Sequence, residues 1–87
     1  MTIAHEPAAS RFIARLPEGD SVVEYSLTGD AVVFTHTLVP AALRGRGIAE
    51  ALVRAALAWA SGENLHVGAT CSYVARFIER HPELARR

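Results

Sequence analysis

The sequence predicts a small α+β domain with a mixed β-sheet, in the order β-β-β-α-β-α. Three runs that favour strands lie between residues 11 and 39, and short turns rich in glycine, proline and aspartate separate them. The apolar period then changes from two to about 3.6 at Ile48, which indicates a helix. A short apolar run and a second helical pattern follow, and this combination predicts helices packed on a sheet.

Length and composition indicate one folding unit. The chain has 87 residues, 51% of them hydrophobic, and its nine arginines balance nine acidic residues. Zero net charge argues against a nucleic-acid or membrane surface as partner. The single cysteine, Cys71, cannot form an internal disulfide, and no uncharged apolar run approaches the ~18 residues of a membrane span. We therefore expect a cytoplasmic protein without a signal peptide.

The first nine residues show no periodicity, and we expect them to form a frayed, flexible leader before a domain over residues 10–87. His5 and Glu6 are potential metal ligands, but a solvated tail explains them, and we predict no metal cofactor. Strands are then predicted over Arg11–Leu16 and Val22–Leu27, with a turn at Pro17–Asp20 between them.

The third predicted strand, Ala31–Val39, is rich in β-branched and aromatic residues, and both of its faces are largely apolar, as in a central strand. The short turn before it predicts an antiparallel hairpin. Strict alternation places four side chains together on one face: Val32, Phe34, His36 and Leu38.

Apolar residues recur at helical spacing over Ile48–Ala60, and Gly62 is suited to a left-handed cap after this helix. Leu65–Ala69 is predicted as a strand parallel to Ala31–Val39, because a strand, a helix and a strand form a right-handed crossover. A second helix ends at Pro82. Four of its side chains are predicted to face the core: Tyr73, Val74, Phe77 and Ile78.

The turn Arg44–Ala49 joins the third strand to the first helix and suits an anion. Gly45 and Gly47 let the backbone approach a ligand, and the first N–H groups of the helix lack internal acceptors. Arg44 and Arg46 add charges that bind phosphate oxygens. A diphosphate is the best-matched ligand class, although a merely tight turn explains the two glycines equally well.

The run from Val39 to Val53 resembles the coenzyme A motif of the GCN5-related N-acetyltransferases, Arg/Gln-x-x-Gly-x-Gly/Ala, with Arg44, Gly47 and Ala49 at its fixed positions. Over residues 10 to 85 the chain resembles the minimal, stand-alone branch of that superfamily. Three further segments carry this resemblance: Phe34-Thr35-His36-Thr37, Cys71-Ser72-Tyr73-Val74 and His81-Pro82-Glu83.

The resemblance implies an N-acyltransferase that moves acetyl from acetyl-CoA to an amine by direct attack, with acyl-CoA bound between two splayed parallel strands. The identity of the acceptor amine stays open among a small amine, a chain end and a protein lysine, and we expect a monomer or weak homodimer. The alternative is a coenzyme A-binding module, a sensor or partner subunit with little catalysis. The implied cofactor contacts are Leu38 and Val39 for the pantetheine arm, and Arg44, Gly45, Arg46, Gly47, Ile48 and Ala49 for the pyrophosphate.

Two residues are candidates for proton transfer or nucleophilic attack. His36 carries an imidazole, the side chain most often used for proton transfer in catalysis, and precedes the implied pantetheine contacts, but a core histidine is an equal alternative. Cys71 lies where a strand ends and a helix begins, a setting that lowers a thiol pKa. It is a nucleophile, a proton donor to the departing thiol, or a small buried hydrophobe.

The sequence departs from larger family members in two ways. The tyrosine acid that larger family members carry on the last helix is replaced by Glu79. Tyr73 is a candidate substitute for that acid, although a core role is favoured. The helical pair that usually separates the first two strands is also absent, since only the turn Pro17–Asp20 joins them. We therefore expect an open, shallow acceptor site.

Overall fold

The computed structural model describes residues 1–86 as a five-stranded sheet with two α-helices, which confirms the α+β class. The strands are β1 (Ile3–Glu6), β2 (Arg11–Leu16), β3 (Gly19–Thr28), β4 (Ala31–Leu38) and β5 (His66–Ala69). They lie side by side in chain order, antiparallel except for the parallel pair β4 and β5. The helices are α1 (Ile48–Gly62) and α2 (Ser72–Arg80).

Both helices pack on one face of the sheet, α1 against β2, β3 and β4, and α2 against β4 and β5. Alternating strand residues and the apolar stripe of α1 meet there, as the periodicity predicts. The fully buried members of this core include Val23, Val32, Phe34, Leu52 and Leu57. Neither helix is long and apolar enough to cross a membrane, among the residues that the structure describes.

The N-terminal segment is not the frayed leader that the sequence predicted, because Ile3–Glu6 pairs with β2 as an edge strand. A four-residue strand is too short to show a period. Its position depends on contacts with distant residues instead. The His5 ring stacks on Phe12 with centroids 4.1 Å apart, and its Nε2 lies 2.7 Å from the Tyr25 hydroxyl oxygen.

The end of α1 also differs from the prediction. Gly62 remains in the helix, and the residue with left-handed backbone angles is Asn64, at φ 57°. Asparagine tolerates this region better than most residues with a side chain. The N–H of Leu65 then donates to the carbonyl of Ala60 at 2.9 Å, which closes the helix end before β5.

A β-bulge interrupts β4. Glu24 of β3 lies opposite His36, but the next residue, Tyr25, lies opposite Phe34. Thr35 is therefore an extra residue on β4. An extra residue in one strand of an antiparallel pair exchanges the faces on which all later side chains lie.

The bulge makes the predicted face assignment of the third strand wrong. Thr37 lies opposite Val23, which is fully buried in the core, so Thr37 projects to the helix side with Phe34. His36 and Leu38 lie on the opposite face, where their side chains are largely exposed. The interpretation of His36 as a core histidine is therefore also wrong.

Candidate functional site

Strands β4 and β5 part at Phe34. Their parallel pairing runs from Ala31 opposite His66 to Phe34 opposite Ala69. The N–H groups of Thr70 and Cys71 both donate to the Phe34 carbonyl, at 3.0 and 3.2 Å, and the chain then turns into α2. Because β4 continues beyond this point without β5 beside it, a gap opens along its edge.

A cleft of about 470 Å³ lies at this end of β4 and extends to the start of α1. It is open to solvent on one side. Its lining comes from three places, the end of β4, the loop before α1 and the first turns of the two helices. The lining residues are Thr37, Leu38, Val39, Leu43, Arg44, Gly45, Gly47, Ile48, Ala49, Glu50 and Tyr73.

The loop before α1 has the backbone geometry that its glycines predict. Gly45 and Gly47 have φ angles of 83° and 75°, in the left-handed region that glycine adopts without strain. Gly47 is the N-cap of α1, and no side chain caps the helix. The first N–H groups of α1, from Ile48 onward, therefore remain available to an anion in the cleft, where the helix dipole adds positive charge.

The two arginines of this loop take different positions. Arg44 lines the cleft, and its Nε donates to the Val39 carbonyl at 3.3 Å. Arg46 instead reaches Glu18 in the turn between β2 and β3, with 3.2 Å between Nη1 and Oε2. Of the residues predicted to contact the cofactor, Arg46 is the one that does not line the cleft.

Cys71 is the N-cap of α2 and does not itself line the cleft, but it contacts Thr37, which does. Its Sγ is 3.5 Å from Oγ1 of Thr37. Thr37 reaches this position because the bulge in β4 turns it to the helix side. No role was predicted for Thr37 from the sequence, since strict alternation placed it on the other face.

The surroundings of Cys71 have opposing effects on the pKa of its thiol. Burial raises the pKa and is the largest single effect. Hydrogen bonds from the Thr37 hydroxyl and from the backbone N–H groups of Val74, Tyr73 and Thr37 together outweigh it, and the pKa lies below its ordinary value. The Cys71 thiolate therefore forms at a lower pH than the thiolate of an isolated cysteine.

Comparison with known proteins identifies the family. A family model described as GCN5-related N-acetyl-transferase matches residues 11–87. The chain belongs to the GCN5-related N-acetyltransferase family. It is 36% identical over 83 residues to Protein NATD1 of Bos taurus, which covers 92% of this chain and 74% of the relative.

Two other relatives have similar sequence identities to this chain and similar coverage. Protein NATD1 of Homo sapiens is 35% identical, with 92% of this chain and 74% of the relative covered. Protein NATD1 of Danio rerio is 33% identical over 85 residues, with 94% and 77% covered. The family model thus covers β2 to β5, both helices and the lining of the cleft.

His36 does not line the cleft of this acetyltransferase-family domain. Its side chain is 76% exposed on the face of the sheet opposite the helices, and Nδ1 lies 3.7 Å from Oε1 of Glu24. The structure thus brings Cys71 and Thr37 together but holds His36 on the other side of β4. Its predicted catalytic role stays a prediction.

The position of Tyr73 differs from the prediction. It was assigned to the core, but its side chain is 41% exposed and lines the cleft, while the next residue, Val74, is buried. Burial and the nearby Glu50 carboxylate both raise the pKa of the Tyr73 phenol. The hydroxyl therefore keeps its proton at neutral pH and is a hydrogen-bond donor to the cleft.

Proposed function

We propose that this protein is an N-acyltransferase that transfers acetyl from acetyl-CoA to an amine. One observation carries the proposal. The cleft runs from the uncapped N-terminus of α1 to Thr37, where β4 has lost its β5 neighbour. Anion-binding backbone at one end and an open strand edge at the other match a ligand with a diphosphate head and an extended, amide-bearing arm.

The residues present fit the donor at both ends. Backbone N–H groups at Gly47 to Ala49, the helix dipole and the Arg44 guanidinium would hold the pyrophosphate. The edge of β4 at Leu38 and Val39 would pair with the amides of the pantetheine arm, as a neighbouring strand does. A cavity of about 470 Å³ is of the size that small-molecule sites have.

Transfer requires that the acceptor amine loses a proton, that a C–N bond forms, and that the C–S bond breaks with the proton ending on the departing thiolate. Cys71 lies next to Thr37, which lines the cleft, and is our proposed proton donor to that thiolate. We propose direct attack by the amine, because this route needs no covalent acyl-cysteine.

His36 is our proposed base for the acceptor. It lies two residues before the proposed pantetheine contacts, on the exposed face, with Glu24 beside it. An amine that enters from this face would meet His36, while the donor occupies the helix side. The β2–β3 connection adds no wall here, since it is a tight turn after Leu16. This supports an open acceptor site that admits a chain end or a flexible lysine.

The proposal is tested in two steps. Acetyl-CoA at about a hundredfold excess over Kd should raise the melting temperature by roughly 10 °C, as expected for a ligand bound only to the folded state. With a panel of amines, the protein should release free thiol above the background without protein. No thermal shift would overturn the proposal, whereas a shift without turnover on any amine would favour the coenzyme A-binding module.

A further inference from the structure

A second cavity, of about 250 Å³, adjoins the cleft. Glu50 and Tyr73 line both spaces, so the cavity continues the cleft beyond the first turn of α1. Its other lining residues come from α2 and the residue after it: Arg76, Phe77, Arg80 and His81. The function proposed above does not use any of these four.

We propose that this cavity binds the phosphomonoester on the ribose of coenzyme A, so that the protein distinguishes coenzyme A from its 3′-dephospho form. This inference rests on the proposed donor. The 3′-phosphate is attached to the same ribose whose 5′ carbon carries the pyrophosphate. Glu50 directly follows the backbone proposed to hold the pyrophosphate and lines both spaces, so the second cavity lies next to the proposed pyrophosphate site.

The cavity is positively charged. Arg76 and Arg80 are four residues apart on α2 and therefore project from the same side of the helix. Neither forms a salt bridge with any residue from 1 to 86. The one carboxylate in the lining, Glu50, is paired with Arg54 at 3.0 Å. The charge that remains for a ligand is thus cationic, and guanidinium groups bind phosphate through paired N–H donors.

Two aromatic rings, those of Phe77 and His81, also line the cavity. The buried Phe77 ring has the Arg54 guanidinium over it, 5.3 Å from its centroid, and the His81 ring 4.6 Å away. A cation over a ring and two adjacent rings restrict the side chains that surround the cavity. These contacts hold Phe77 and His81 in place beside the cavity.

The experiment compares coenzyme A with 3′-dephospho-coenzyme A by isothermal titration calorimetry. Charge-assisted hydrogen bonds to a phosphate should make wild type bind coenzyme A roughly tenfold more tightly. In Arg76→Gln/Arg80→Gln the ratio of the two Kd values should fall to about one, with the affinity for the dephospho form unchanged. The matched control, Arg11→Gln/Arg15→Gln, removes two arginines from the opposite face of the sheet and should keep the wild-type ratio.

Each result has a distinct meaning. Equal affinity of wild type for both ligands, or an unchanged ratio in the Arg76 and Arg80 variant, would overturn the phosphomonoester site and leave the proposed donor intact. Failure of wild type to bind either ligand would overturn the proposed function as well. Retained binding of 3′-dephospho-coenzyme A shows that the double variant is folded. If that variant does not fold, the wild-type ratio at low and high salt decides, because an ionic contact must weaken with salt.

Discussion

The two halves of β4 differ in their neighbours and in their use. Ala31–Phe34 pairs with β3 on one side and β5 on the other, and its Val32 and Phe34 are buried in the core. The second half, Thr35–Leu38, keeps only the β3 neighbour, and Leu38 is 61% exposed. One strand thus serves first as scaffold and then as the wall of a cleft, and the change occurs where the bulge and the end of β5 coincide.

The largest expected effect is a difference in how much the two halves of β4 contribute to the stability of the protein. Phe34→Ala should lower the free energy of unfolding by about 3–5 kcal/mol, because the ring is 1% exposed and a cavity would remain. Leu38→Ala should change it by less than about 0.5 kcal/mol, since its side chain is mostly in solvent. Urea denaturation followed by circular dichroism measures both. Equal losses would contradict a division of β4 into scaffold and site.

A second comparison concerns the two faces of the second half of β4, Thr35–Leu38. Cys71→Ala, on the helix side, and His36→Ala, on the open side, should each reduce the acetylation rate by about 100-fold if each transfers a proton. The matched control is His66→Ala, because His66 is also an exposed histidine near a carboxylate, with its Nε2 3.7 Å from an Asp30 carboxylate oxygen. It should leave the rate unchanged. A normal rate in His36→Ala would confine the chemistry to the helix side.

The loop between β4 and α1 should not tolerate a side chain at its left-handed glycine Gly47. Gly47→Ala should destabilise the protein by about 1–2 kcal/mol and weaken coenzyme A binding, because φ is 75° at the N-cap. The comparison is Gly62→Ala, in the last turn of α1, where helix propensity favours alanine by up to about 1 kcal/mol. Thermal melts with and without coenzyme A separate strain from lost affinity. No loss in Gly47→Ala would show that the left-handed angle is not required.

The smallest expected effect tests the link between Thr37 and Cys71. The thiolate is the reactive form, so the pH profile of iodoacetamide alkylation should have its midpoint below that of a cysteine in an unfolded peptide. Thr37→Val removes the hydroxyl and should move the midpoint upward by a fraction of a pH unit. Thr35→Val, at the bulge, is the control. An unmoved midpoint in Thr37→Val would mean that backbone N–H groups alone lower the pKa.

Much of the fold follows from local patterns. The β2 strand has the predicted bounds, α1 begins at Ile48 as predicted, and the parallel pairing of β4 and β5 follows from the crossover rule. These features depend on residues two to four positions apart, which the sequence presents directly. The resemblance to the coenzyme A motif likewise indicated the family and the loop from Arg44 to Ala49.

The errors share a different cause. The edge strand Ile3–Glu6 is held by ring stacking and a hydrogen bond to residues far along the chain, and no local period marks it. Arg44 and Arg46 flank the same glycine, Gly45, yet only Arg46 pairs with Glu18, a residue far from it in sequence. Tyr73 is predicted as core by spacing, but the gap beside β4 leaves it exposed.

The sequence by itself determined which segments form strands and helices, and that a glycine loop with unpaired N–H groups would precede α1. Only the tertiary structure decided which side chains meet at the cleft. A single extra residue at Thr35 turns Thr37 toward Cys71 and His36 away from it. The reason is physical, because a bulge is a property of the pairing between two strands, and the alternation within one strand does not record its partner's register.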